Sequence, residues 1–361
     1  MPLRHSNPTS SQDKGKRYQL IIHAGLPKTG TSSIQVFLDD NARKLQEQGF
    51  YYTPAADPVG RPNHNLLALA FWSNVQRSYR RIYGHDQTGL QQASLNAWRD
   101  LKEGFVSSGC ETLILSGEFF TGCRTRQLAD FLSNEFSNFD IASIFYLRRP
   151  SEYFASISQQ HIKGSNHLKP IARSRRSEKL SRWSKLGDII IREFNRDTLV
   201  GGDVLADFAH AIGLRDGELN IPMPQNETIS AEGMELLLMH RRFLFPEAQP
   251  QIFPKSRQLI RKIQKLERSN AETFGFTRPR LHDEFAKYLD LDLVEVDALD
   301  EKFGFRFSAL DYSYHIADDA ALEKRRFMFV GDQMPYDTEL KNWLQYYLEQ
   351  EGTKFSHLHG K

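Results

Sequence analysis

The most informative stretch of the sequence is His23-Ala-Gly-Leu-Pro-Lys-Thr-Gly-Thr-Ser-Ser33, which lies between a predicted strand and a predicted helix. Gly25 and Gly30 allow a sharp turn and a close approach of the backbone to a ligand. The peptide N–H groups that follow point outward at a helix N-terminus, which is a natural site for an anion. Lys28 adds a cation, and the stretch ends in three hydroxyl side chains, Thr31, Ser32 and Ser33. The stretch therefore predicts a loop that cradles a phosphate.

The spacing of this loop differs from that of nucleoside-triphosphate-binding loops. Their pattern, G-x-x-x-x-G-K-[ST], places a lysine directly after the second glycine. Here Gly30 is followed by Thr31, and Lys28 stands two positions before the glycine. A turn followed by a Thr or Ser helix cap would need no ligand at all. The loop by itself therefore leaves a ligand site and an ordinary capped turn both open.

Short apolar runs alternate with helical patterns from Tyr18 to about Gly213. The predicted strands are Tyr18–Ala24, Thr112–Leu115, Ile141–Leu147 and Asp188–Arg192. The predicted helices are Thr31–Glu47, Arg126–Glu135, Ser151–Ile162 and Asp203–Ile212. This alternation predicts an α/β fold with a parallel sheet covered by helices on both faces.

Beyond Gly213 the pattern becomes mainly helical, with amphipathic segments at Ser230–Phe243 and Lys255–Asn270. We predict three regions along the chain. They are a flexible tail over 1–17, a sheet domain over 18–250, and a helical C-terminal region over 251–361 that packs on the same domain.

The composition narrows the class of protein. Lysine and arginine total 47 against 45 aspartate and glutamate residues, which argues against a uniformly basic nucleic-acid-binding protein. Two cysteines, Cys110 and Cys123, exclude a disulfide scaffold and a four-cysteine zinc site. No apolar run approaches the roughly 20 residues of a membrane helix, and the N-terminus lacks the apolar core of a secretory signal. We expect a soluble cytoplasmic protein with no integral membrane segment.

The charge is unevenly distributed. Residues 163–185 contain eight basic side chains and one acidic one, whereas residues 281–301 contain eight acidic side chains and one basic one. Such runs are commonly solvated faces of the protein. The basic run could instead attract a polyanion, either nucleotide phosphates or an acidic acceptor.

A second candidate anion site is Arg148-Arg-Pro-Ser-Glu-Tyr-Phe-Ala-Ser156, which follows the predicted strand Ile141–Leu147. Arg148 stands at the end of the strand, and Ser156 lies about two turns into the next helix. Ligands of open α/β sheets bind at the carboxyl ends of the strands, so a guanidinium and a hydroxyl could meet an anion there. An arginine at a strand end can also be simply solvated or salt-bridged.

Together the two motifs resemble the sulfotransferases that use 3′-phosphoadenylyl sulfate (PAPS), over roughly Tyr18 to Gly213. The resemblance implies a P-loop-type parallel sheet, PAPS as the sulfuryl donor and no metal. It implies that Arg148 and Ser156 bind the 3′-phosphate of the donor. It also implies that the 5′-phosphosulfate is bound by the residues of the first loop, Lys28, Thr29, Gly30, Thr31, Ser32 and Ser33.

The chain departs from cytosolic members of that family in two places. They carry a tryptophan shortly after the loop that stacks on adenine, whereas the corresponding position here is near Ser33 and is not aromatic. Their C-terminal Arg-Lys-Gly motif, which also holds the 3′-phosphate, is absent from this sequence. Basic side chains within 163–185 could replace part of that contact.

Sulfuryl transfer also needs a base that takes the acceptor proton. Glu118, in Leu115-Ser-Gly-Glu-Phe-Phe120, follows a predicted strand and resembles the glutamate that some members of the family use. Phe119 and Phe120 could partly dehydrate its carboxylate and raise its pKa, or Glu118 could only cap the next helix. His64, before the apolar segment Leu66–Phe71, is the rival catalytic residue and could contact the acceptor.

We therefore predict an enzyme that transfers a sulfuryl group from PAPS to a hydroxyl or amine. The acceptor would be a carbohydrate, a lipid or a small metabolite, and no nucleic acid would be a partner. The sequence predicts neither the acceptor within that class nor an oligomeric state. A kinase-like phosphotransferase and a non-catalytic protein that binds a nucleotide or polyanion are the alternatives.

Overall fold

The computed structural model describes residues 16–54, 60–164, 175–215, 219–221, 229–231, 233–234, 237–238, 254–269, 281, 283–290 and 293–312. Contacts divide the chain into two compact units. Within the described residues the first unit takes in 16–148, 175–221 and 298–308, and the second takes in 149–164, 229–297 and 309–312. All but the last two residues of the predicted tail lie outside the described residues. The predicted domain boundaries stay predictions.

The first unit is built on a five-stranded parallel sheet. The strands are β1 (Tyr18–Ala24), β2 (Phe50–Tyr51), β3 (Thr112–Gly117), β4 (Phe139–Leu147) and β5 (Asp188–Glu193). Their order across the sheet is β2-β3-β1-β4-β5, so β1 pairs with β3 on one side and β4 on the other. The predicted α/β class with a helix-flanked parallel sheet is confirmed.

Helices of the first unit follow most of the strands. They are α1 (Thr31–Asp40), α2 (Ala42–Glu47), α3 (Asn65–Ala68), α4 (Arg77–Tyr83), α5 (Gln87–Ser108), α6 (Thr125–Glu135), α8 (Arg176–Trp183) and α9 (Val204–Ile212). The single helix predicted over Thr31–Glu47 is wrong at Asn41, where α1 ends. There the Asn41 side chain donates to the Phe37 carbonyl at 2.8 Å and competes with the backbone for that acceptor.

Both faces of the sheet are buried at its centre. Ile21, Ile114 and Ile144 pack with apolar residues of α1 and α9 on one face. Leu20 and Ile22 alternate with Ile21 along β1 and are equally inaccessible to solvent. Because successive side chains of a strand point to opposite faces, neither face of the central strand contacts water. This burial explains why the strands appear as continuous apolar runs in the sequence.

The described helices of the second unit include α7 (Pro150–Ile162), α10 (Pro254–Ser269) and α11 (Asp283–Asp290). A further helix, α12 (Leu293–Phe303), begins in this unit and ends in the first. Leu281 and Leu289 pack with Phe154 of α7. Helix α10 agrees with the helix predicted over Lys255–Asn270, whereas most of the one predicted over Ser230–Phe243 lies outside the described residues.

Candidate functional site

The loop between β1 and α1 is tightly built around two glycines. A Cβ on Gly25 would lie 2.3 Å from the Thr31 side chain, so only glycine fits there. Gly30 has a φ of 77°, and Lys28 has a φ of 67°, a left-handed conformation that residues other than glycine seldom adopt. The hydroxyls of Thr29 and Thr31 both donate to the Leu26 carbonyl, at 2.8 and 3.3 Å. The loop therefore fixes its own shape.

The loop leads into the N-terminus of helix α1, where free backbone N–H groups could bind an anion. The first intrahelical bond runs from the Ile34 N–H to the Gly30 carbonyl, so the N–H groups of the three preceding residues fall in the first turn, which has no intrahelical acceptors. The helix dipole adds positive potential there. Thr31 was predicted to offer its hydroxyl to a ligand. That prediction is wrong, because the buried Thr31 hydroxyl donates to the Leu26 carbonyl inside the loop. Of the others, Ser32 is exposed and Ser33 half-buried.

One aromatic ring connects this loop to the predicted second anion site. Phe194, which follows β5, places its Cε2 atom 3.0 Å from where a Cβ of Gly30 would lie. The Arg148 guanidinium carbon lies 4.4 Å from the centre of the same ring, within the range of a cation–π interaction. Gly30 and Arg148 therefore both contact the Phe194 ring, at the carboxyl ends of β1 and β4.

Arg148 is also tied to the neighbouring helix α8. Arg176, a residue only 9% exposed, donates from its guanidinium to the Arg148 carbonyl at 2.5 Å. Ser156, the other residue predicted to bind the 3′-phosphate, lies on α7 in the second unit. Its role beside Arg148 stays a prediction.

Part of the predicted basic run lies on or beside α8, in Arg175, Arg176, Lys179, Arg182 and Lys185. Burial lowers the pKa of Lys179, and the positive charges of Arg182 and Arg176 lower it further. Like charges are therefore crowded along this helix, next to Arg148. Lys169 and Arg173 of the same run lie outside the described residues.

Glu118 stands directly after β3, at the same edge of the sheet as the loop. Its side chain is exposed, and although Glu118 precedes the short 3₁₀ helix Phe119–Gly122, that side chain makes no capping hydrogen bond. Surrounding protein removes enough water to raise the pKa of the Glu118 carboxyl, while the positive charges of Arg61 and Lys28 oppose that rise. A carboxylate under the influence of the loop lysine suits a base at this edge.

His64 does not have the properties of the predicted catalytic residue. Its side chain is fully buried, its Nε2 donates to the Thr53 carbonyl at 2.8 Å, and its Nδ1 accepts from the Ser116 N–H at 3.1 Å. Burial lowers its pKa to about 4. With both ring nitrogens engaged inside the protein, the imidazole has no position from which to take a proton from an acceptor. We therefore assign His64 a structural role.

The sequence reasoning missed two residues of this region, Arg61 and Phe194. Arg61 acts electrostatically on Glu118 although the two are far apart in the chain. Phe194 contacts both Gly30 and Arg148. The one sequence signal available for Phe194 was its position directly after a strand, and no pattern singled out Arg61.

No protein-family model matches the chain, and no curated protein matches it. Among the described residues, no cluster of three or more histidine, cysteine, aspartate or glutamate side chains is arranged to hold a metal ion. In the same part of the chain, no helix combines the length and apolar character needed to cross a membrane.

Proposed function

We propose that this chain is a P-loop-type sulfotransferase that transfers a sulfuryl group from PAPS to a hydroxyl or amine acceptor. The observation that carries the proposal is the contact through Phe194, which brings the Gly30 loop and Arg148 together at one edge of the sheet. Two anion-binding groups at such an edge suit a donor with phosphates at both ends of its nucleoside. The motifs of the two segments resemble those of PAPS-dependent enzymes.

The loop fits the phosphosulfate end of such a donor. Gly25 leaves no room for a Cβ, Gly30 has a positive φ, the Thr29 and Thr31 hydroxyls hydrogen-bond inside the loop, and the first helical turn presents N–H groups. These N–H groups and Lys28 would hold the 5′-phosphosulfate, and Arg148 would hold the 3′-phosphate. The participation of Ser156 stays a prediction from the resemblance. When bound, PAPS supplies the sulfuryl group and a phosphate leaving group.

The protein's part in the reaction is electrostatic and acid–base. The acceptor oxygen or nitrogen forms a bond to sulfur while the bond between sulfur and the leaving phosphate oxygen breaks. Lys28 and the loop N–H groups would stabilise the negative charge that develops on that oxygen. Glu118 would take the acceptor proton, and its raised pKa makes it a stronger base than an ordinary glutamate.

A nucleotide titration tests the proposal against a kinase-like phosphotransferase. We expect 3′-phosphoadenosine 5′-phosphate (PAP) to bind without a divalent metal, and to bind more tightly than ATP with magnesium, in isothermal titration calorimetry. A labelled-sulfate assay with PAPS and a panel of carbohydrate, lipid and phenolic acceptors should then detect transfer. Tighter binding of ATP with magnesium, together with phosphate transfer, would instead establish the phosphotransferase.

The second anion site gives a sharper prediction. Arg148→Met should weaken PAP binding by about 10- to 100-fold, because a charge-assisted hydrogen bond to a phosphate is worth roughly 1.5–3 kcal/mol. Binding of adenosine 5′-phosphosulfate, which lacks the 3′-phosphate, should be almost unchanged. Calorimetry with both nucleotides measures the difference directly.

Arg99→Met is the matched control for that variant. Arg99 is an exposed arginine on α5, so its replacement removes the same charge away from the site, and PAP binding should not change. If Arg148→Met weakened both nucleotides equally, Arg148 would not contact the 3′-phosphate.

A further inference from the structure

Strand β3 extends beyond its neighbour on one side. β2 consists of Phe50 and Tyr51, which pair with Thr112 and Leu113. β3 continues to Gly117, and Ser116 is fully buried. Buried backbone N–H and C=O groups need hydrogen-bond partners. Another part of the chain must therefore replace β2 along the last residues of β3, immediately before Glu118.

His64 is that replacement. Its backbone N–H donates to the Ser116 carbonyl at 2.8 Å, and its Nδ1 accepts from the Ser116 N–H at 3.1 Å. The Nε2 of the same ring donates to the Thr53 carbonyl at 2.8 Å, which fixes the ring as the neutral form protonated at Nε2. One residue thus provides both the donor and the acceptor that a neighbouring strand would have provided.

Asn65, the next residue in the chain, binds the backbone on the C-terminal side of Glu118. Its Oδ1 accepts from the Phe119 N–H at 3.0 Å, and its own N–H donates to Asn63 Oδ1 at 2.9 Å. Asn65 is 7% exposed and Asn63 2% exposed. A Cβ on Gly117 would lie 3.0 Å from Asn65 Oδ1, so the asparagine is packed closely against the backbone that carries Glu118.

We propose that His64 and Asn65 are positioning residues that fix the Glu118 carboxylate at the sheet edge by holding the backbone on both sides of it. His64 binds Ser116, two residues before Glu118, and Asn65 binds Phe119, the residue directly after it. Arg61 belongs to the same segment and acts on Glu118, so the segment sets both the place and the electrostatic surroundings of the base. This inference rests on the proposed function, in which Glu118 takes the acceptor proton.

The decisive variants are Asn65→Ala, which removes the acceptor of the Phe119 N–H, and Asn65→Asp, which keeps it. Asn65→Ala should lower kcat roughly a hundredfold, since a displacement of about 1 Å in a reacting group costs about that much. PAP affinity should be almost unchanged, because the loop is held by its own bonds to Leu26. Asn65→Asp should keep most of the native activity. His64→Ala should lower kcat as Asn65→Ala does and should also cause a larger loss of stability.

A measurement that does not need turnover separates positioning from a general loss of stability. In protein carrying ¹³C-labelled glutamate, the Glu118 carboxyl signal is assigned with Glu118→Gln and followed against pH. Asn65→Ala should return the pKa of Glu118 towards that of an ordinary glutamate. Asn65→Asp should raise the pKa further, because a second carboxylate would lie close to it.

Asn41→Ala is the matched control. Asn41 is equally buried and hydrogen-bonded but lies at the carboxyl end of α1, away from the loop. It should lower the melting temperature without moving the pKa of Glu118 or kcat. An unchanged Glu118 titration in Asn65→Ala would overturn the positioning role even if the protein is an active sulfotransferase. Absence of transfer by the native chain, with the Glu118 titration moved as expected, would overturn the proposed function alone.

Discussion

Replacing Glu118 with glutamine is expected to lower kcat for sulfuryl transfer by about 10²- to 10⁴-fold, the range typical of a lost general base. The amide keeps the size of the side chain but cannot accept the acceptor proton. PAP binding should change little, since Glu118 lies outside the loop and makes no capping hydrogen bond. Initial rates with labelled PAPS and calorimetric binding of PAP measure the two effects separately.

The pH dependence of the same reaction provides a second readout. Because surrounding protein partly dehydrates the Glu118 carboxyl and raises its pKa, and because the ionised carboxylate is the active form, the native rate should increase with pH through a pKa above that of an ordinary glutamate. Glu118→Gln should lose this acidic limb. Glu103→Gln is the control, since it changes an exposed carboxylate on α5. It should keep the native rate and the native increase of the rate with pH.

The same variants separate an enzyme from a non-catalytic nucleotide-binding protein. If Glu118→Gln and Lys28→Ala each abolish turnover while PAP still binds, the bound nucleotide is a donor in a reaction that uses both side chains. Native transfer that persisted in Glu118→Gln would assign the proton to another group and remove Glu118 from the mechanism. Binding of PAP by the native chain with no transfer to any acceptor would favour the non-catalytic alternative.

The sheet could be predicted because its central strands are buried on both faces and therefore appear in the sequence as short apolar runs. The bounds of β1 agree with the prediction, and those of β3, β4 and β5 extend it by one or two residues at an end. β2 was missed because two residues are too short to show any period. Helix α5 was missed although its buried positions recur at helical spacing, because Ser94 interrupts the apolar pattern between Leu90 and Trp98.

The residues of the candidate site also differ in how far their placement could be predicted from the sequence. Lys28, Glu118 and Arg148 each follow a strand, and parallel strands bring their carboxyl ends to one edge, so their placement there could be predicted. Phe194 and Arg61 act through contacts between segments distant in the chain, which no local spacing encodes. His64 was misassigned because a sequence shows that a histidine is present but not that both of its nitrogens already have partners.

An ion pair with a fully buried carboxylate joins β5 to α9, two residues before Phe194. Asp207 is fully buried on α9 and is paired in a bidentate manner with Arg192 of β5. The Tyr146 hydroxyl donates to it at 2.8 Å and the Val200 N–H at 3.1 Å. Burial disfavours the charged form, but these hydrogen bonds outweigh it and hold the pKa of Asp207 below its usual range.

Asp207→Ala should therefore lower the free energy of unfolding by about 3–5 kcal/mol at neutral pH, because it leaves a cation partly buried without its partner. Urea unfolding followed by circular dichroism measures the loss. A carboxyl whose pKa is depressed by folding stabilises the protein above its unfolded pKa of about 4, and that contribution is lost as the pH falls through the folded value. The difference between native protein and Asp207→Ala should consequently shrink in acid.

A double substitution tests whether pairing, rather than the bulk of the side chains, is the cause. Arg192→Met combined with Asp207→Leu removes both charges together and should destabilise the protein less than Arg192→Met alone, which leaves a fully buried carboxylate without its cation. Additive losses, or a loss in Asp207→Ala that is the same at every pH, would contradict the ion pair as the source of stability. Since Phe194 lies two residues beyond Arg192, loss of the pair should also weaken PAP binding.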